Sequence, residues 1–216
     1  MRQTVTKHRG WIVLAGVLAG LLLWPAHVSA QTAGGEAKVV QATFLGATTV
    51  LSGTGVLPSG TSGALDASSV TGSVPSLLAG DSLSAATIGS PDQIYSESSL
   101  GSLGMSVAGN TISADFLMAR ALEVTGASGQ GTSEIDGLSI NGVSVPVSGA
   151  PNQAIPIVGG MVILNEQQLG SDGALVNALH VIVSGVADVV VASATAGSPP
   201  SSSSTTLPGL PLPGLL

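Results

Sequence analysis

The chain is predicted to be all-β, an antiparallel two-sheet β-sandwich. Three observations lead there: a composition poor in charge and aromatics, apolar side chains recurring at period two, and two-residue turn signals between the alternating runs. Charged residues are 8% of the chain while the hydrophobic fraction is 44%. Disorder goes with the opposite balance, and the apolar residues here are β-branched or small, which favours strands.

In chain order, residues 38–45, "KVVQATFL", read as a first strand. Residues 52–102 mix Gly, Ser, Pro and Thr into short apolar runs, and loops with short strands are expected there. Thr111 to Thr125 is the plainest strand. Its even positions, Ile112, Ala114, Phe116, Met118, Arg120, Leu122 and Val124, form one apolar face interrupted only by Arg120. Upstream, Gly109-Asn110 serves as a turn that pairs Val107 with Ile112 and Met105 with Ala114.

A second hairpin, Gly137 to Val147, turns at Asn141-Gly142, both tolerant of positive φ. It pairs Ile140 with Val143 and Leu138 with Val145, and Pro146, lacking an amide donor, puts its strand at an edge or turns that position away from its neighbour. A third, Ala154 to Leu164, turns at Gly159-Gly160. "VNALHVIV" and "VADVVVA", separated at Ser184-Gly185, are two more strands. No fixed period links these segments, so a sandwich is preferred over the alternative, a β-solenoid.

The flanks read differently. Residues 1–30 have the order of a secretory signal peptide: Arg2, Lys7 and Arg9, an apolar run from Trp11 to Trp24, then "HVSA", with cleavage after Ala30. That run is shorter than the roughly 20 residues of a spanning helix, so no stable transmembrane segment is expected after cleavage. Residues 31–197 form the domain, and residues 198–216 a flexible tail rich in Ser and Pro. "LPGLPLPGLL" lacks the Leu-Pro-x-Thr-Gly and basic end of a sortase signal.

Cleavage leaves Lys38 and Arg120 as the only cations against twelve carboxylates, a net charge of −10. Two cations cannot neutralise a run of phosphates, which argues against nucleic acid as a partner. With no cysteine there is neither a disulfide framework nor a thiolate metal site.

Candidate chemistry is sparse. His180 is the only histidine beyond the leader and no Gly-x-Ser-x-Gly elbow occurs, so a serine hydrolase lacks its usual parts. On the strand reading His180 alternates with Ala178 and Ile182, opposite Leu179, Val181 and Val183. It is expected on the less buried face as a bystander. Glu134 and Asp136, with Asp172 and Asp188, could offer oxygens to calcium, but no Asp-x-Asp-x-Asp-Gly loop is present. Phe44, Tyr95 and Phe116 are too few aromatics for a sugar-stacking cleft. Arg120, interrupting an apolar face, is expected either to be buried against a carboxylate across the sheet, Glu166 or a neighbour of Glu123, or to snorkel at the sheet margin. No catalytic, cofactor-binding or metal-ligating residue is assigned.

The runs "GLSINGVSVPVSGAPNQAIPI", "VILNEQ" (Val162 to Gln167), "VNALHV" and "GVADVVVASATAG" (Gly185 to Gly197) resemble the bacterial choice-of-anchor P family. The resemblance covers residues 100–197 and implies an exported surface domain with no assigned catalytic residues. The expected role is therefore a secreted or cell-surface structural or adhesive protein without catalytic activity, the alternative being an extracellular glycan- or calcium-binding module. Expected partners are further copies of itself or components of the cell envelope or matrix.

Overall fold

A computed structural model of the chain describes residues 34–200. The expected signal peptide and nearly all of the expected Ser/Pro-rich tail lie outside these residues. Fourteen strands follow in order: β1 Gly34–Phe44, β2 Ala47–Gly53, β3 Leu57–Pro58, β4 Gly63–Val74, β5 Leu78–Gly89, β6 Gln93–Val107, β7 Asn110–Val124, β8 Gln130–Asp136, β9 Ser139–Ile140, β10 Val143–Ser144, β11 Gln153–Ile157, β12 Gly160–Gly170, β13 Gly173–Val183 and β14 Ala187–Gly197. No helix occurs among the described residues.

The strands form two antiparallel sheets. The first is ordered β11-β12-β13-β14-β1-β2, with β3 on β1; the second is ordered β10-β9-β7-β6-β5-β4, with β8 on β7. Their inner faces close over one core, with Val40, Leu164, Leu179 and Val189 meeting Ile94, Leu100 and Leu117. This is the expected sandwich, and the solenoid alternative is set aside.

Period two holds within each half of a strand but slips once along most of the long ones. In the first sheet two consecutive residues turn inward at Val39-Val40, Leu164-Asn165, Ala178-Leu179 and Val191-Ala192. Asn165 and Ala192, and Ser52 on β2, take left-handed φ of 50°, 53° and 49°. In the second sheet two consecutive residues turn outward at Asp81-Ser82, Gly101-Ser102 and Asp115-Phe116, with Ser82 and Ser102 at φ 53° and 50°. A residue in this conformation reverses which parity faces the core, as in a β-bulge.

The slip corrects the reading of β7. Ile112 and Ala114 are buried as expected, but beyond Asp115 the odd positions Leu117, Ala119 and Ala121 take over the core face and Arg120 points outward. Two turns also sit one residue earlier than expected. Val107 pairs with Asn110 around Ala108-Gly109, at φ 47° and 79°, and Ile157 pairs with Gly160 around Val158-Gly159. The reason is Asn110, whose buried amide is used elsewhere. Its Nδ2 donates to Val107 O at 3.3 Å and Val158 O at 2.9 Å, and its Oδ1 accepts from Val158 N at 3.2 Å. The hairpin tips of the two sheets are thereby tied together.

The Asn141-Gly142 hairpin pairs Ile140 with Val143, and Val145 N donates to Leu138 O at 2.9 Å, although Val143 is exposed rather than on the core face. Pro146 follows β10, an edge strand, as expected. The largest correction falls on residues 52–102, which hold β4, β5 and most of β6, strands of 12, 12 and 15 residues rather than loops and short strands. Their inward positions include Thr87, Ser96 and Ser98, all fully buried. Burial of these hydroxyls is tolerated because each is hydrogen bonded: Thr87 to Ser96 at 3.1 Å and to Thr54 at 3.2 Å, and Ser98 to Ser193 O of the other sheet at 2.9 Å.

Candidate functional site

The outer face of the first sheet carries the densest polar arrangement. At the slip, Glu166, Asn177, Ser193 and Lys38 are successive cross-strand partners on β12, β13, β14 and β1, and all four lie on the outer face. Three residues along β13, past the inward pair Ala178 and Leu179, His180 emerges on the same side. The slip therefore makes Asn177, rather than Ala178, its outer-face neighbour; Ala178 is fully buried.

His180 is held between two acids. Nδ1 lies 2.8 Å from Glu166 Oε2 and Nε2 lies 3.0 Å from Asp188 Oδ1, while Asn177 Nδ2 donates to the same Glu166 oxygen at 2.7 Å. The imidazole is 14% exposed, Glu166 18% and Asp188 60%. Burial pulls the His180 pKa down, but the hydrogen bonds to Asp188 and Glu166 and their charges outweigh it and push the pKa up to about 9. Burial would raise Glu166, yet the bonds from His180 and Asn177 leave it below the ordinary carboxylate range. The bond from His180, against some burial, lowers Asp188 as well. At neutral pH the ring is thus an imidazolium donating both N–H groups, with no free nitrogen to accept a proton.

His180 is accordingly on the less buried face, as expected, but it is the centre of an ion cluster rather than a bystander. Glu166, expected opposite Arg120, belongs to His180 instead. The residue missed for Arg120 is Glu97, its direct cross-strand partner on β6, with Arg120 Nε 2.5 Å from Glu97 Oε2. Tyr95 Oη donates to the same oxygen at 2.6 Å. Burial and then the bond to Glu97 push the Tyr95 pKa up to about 12. The Glu97 carboxyl stays below its ordinary range because the Tyr95 and Arg120 bonds overcome its burial. Glu97 could not be found from the sequence, because loops and short strands fix no cross-strand register for it.

A shallow groove of about 380 Å³ runs along the outer face of the first sheet, beside the row through Asn177. Ser193 and Thr195 lie on its central strand, flanked by Glu36, Lys38 and Gln41 on β1 and by Leu175 and Asn177 on β13. Lys38 Nζ is 2.7 Å from Glu36 Oε2. Asn177 Oδ1 lacks a hydrogen-bond partner but is shielded from the surface.

Of the acids considered for calcium, Glu134 and Asp136 lie exposed on β8, while Asp188 is engaged by His180. Among the described residues no three His, Cys, Asp or Glu side chains come together in a way that could hold a metal ion. No family model, curated protein or solved structure matches the chain.

Proposed function

We propose that this protein is an exported structural or adhesive domain that works through surface contact, outside the cell or on its surface, rather than through catalysis. The observation carrying this reading is that the three basic side chains of the described residues, Lys38, Arg120 and His180, each sit in an ion pair on an otherwise weakly charged surface. Few charges would have to be desolvated when such a surface meets a like surface or a matrix. Both His180 nitrogens are committed to carboxylates, which suits a cross-strand fastening and not a general base near neutral pH. The resemblance of residues 100–197 to the choice-of-anchor P family and the signal-like leader support export. The expected outcome is concentration-dependent self-association, read by multi-angle light scattering; a strictly monomeric species at high concentration overturns the reading.

The groove beside Ser193 and Thr195 favours a second reading, a module for hydroxylated ligands such as glycans. Its walls offer Lys38, Glu36 and Gln41 as donors and acceptors. Calorimetric titration with neutral oligosaccharides tests it, and a loss of binding in Ser193→Val would locate the site.

A further inference from the structure

The open strand edges of the sandwich are not protected alike. An unpaired edge is a template for another strand, and proteins blunt edges with proline, charge or short length. On the first sheet β11 has five residues including Pro156. On the second sheet β10 has two residues and is followed by Pro146, while β8 carries Glu134 and Asp136. The remaining ends differ. β2 has seven residues with no charge and no proline, and β4 has twelve with Asp66 as its only charge and no proline. These two run along the same side of the sandwich: a Cβ added to Gly72 on β4 would lie 3.3 Å from Leu51 Cδ1 on β2. Val50 on β2 and Val70 on β4 are 45% and 82% exposed.

From this asymmetry we infer that β4, flanked by β2, is the edge along which a second copy of this chain pairs, antiparallel about a two-fold axis. Two arguments select a second copy. A strand pairing with its own copy satisfies the same N–H and C=O groups on both partners, as an isologous contact requires. The chain is acidic, so copies repel wherever carboxylates gather, and the β2/β4 side presents one acid where β8 alone presents two. Thr71 O on β4 already accepts the Ser69 hydroxyl at 2.6 Å, which leaves the rest of the strand to carry the pairing.

The inference rests on the self-association reading and is tested so that the two can fail separately. The full chain contains no cysteine, so single cysteines report contacts without background. Under oxidation Ser68→Cys on β4 is expected to give covalent dimers and Thr132→Cys on β8 to stay monomeric. Val70→Lys is expected to raise the concentration at half-association at least tenfold, with Thr132→Lys unchanged and far-ultraviolet circular dichroism showing that both variants keep the fold. If the wild type associates but Ser68→Cys fails to cross-link, or cross-links no better than Thr132→Cys, the edge assignment is wrong while self-association stands. A wild type that never associates removes both. Should Val70→Lys lose its fold, the cysteine pair decides alone.

Discussion

On the outer face of the first sheet His180 is gripped by Glu166 and Asp188; on the outer face of the second Arg120 meets Glu97 and Tyr95. The Arg120 contact is the shorter, 2.5 Å against 2.8 and 3.0 Å. Depth nevertheless makes the His180 cluster the more consequential. The Arg120 side chain is 46% exposed and His180 14%, so water screens the first pair and competes for it far more than for the second. The clusters also differ in titration, since a guanidinium keeps its charge throughout the accessible pH range and an imidazole does not.

Removing the shared acid of the deeper cluster should have the largest effect. Glu166→Ala leaves His180 Nδ1 and Asn177 Nδ2 without their partner, with Asp188 still on Nε2, and is expected to lower unfolding stability by about 2–3 kcal/mol, read from urea denaturation. An alkaline titration comes next. Because the folded pKa of His180 is raised from 6.5 to about 9, its stabilisation is fully present below about pH 6.5 and disappears as pH rises through about 9. Between pH 7 and 10 the wild type is expected to lose about 2 kcal/mol. Tyr95, pushed up to about 12, keeps its proton over the same span, so the second cluster stays unchanged. His180→Gln should flatten the profile, and an equally steep loss in that variant would break the contrast. At the acid end the sign reverses: the lowered pKa values of Glu166 and Asp188 mean stability present above about pH 4.5 and lost as pH falls through their folded values. The smallest effect is expected for Arg120→Met, within about 1 kcal/mol of wild type by the same denaturation assay. A loss as large as that of Glu166→Ala would show that exposure does not rank the two clusters.

The sandwich, most strands of the second half and the edge position near Pro146 were legible because alternation and Asn-Gly chemistry are local signals. Arg120 was misplaced because alternation cannot register a slip: nothing in "SADFLM" announces that Asp115 and Phe116 both face outward. β4 to β6 read as loops and short strands because Thr87, Ser96 and Ser98, polar by composition, occupy core positions. The ion cluster was hidden for a related reason. His180 and Asp188 belong to one hairpin, but placing Glu166 beside them requires knowing that β12 and β13 slip at the same level.

The buried amides and hydroxyls also fix something the apolar core leaves free. Alanine, valine and leucine dominate an interior in which no aromatic ring is fully buried, so few large side chains key one layer against the other. Asn110 clasping the Val158 backbone, Ser98 reaching Ser193 O and the Ser133 hydroxyl donating to Asn165 Oδ1 act as dowels that admit a single alignment.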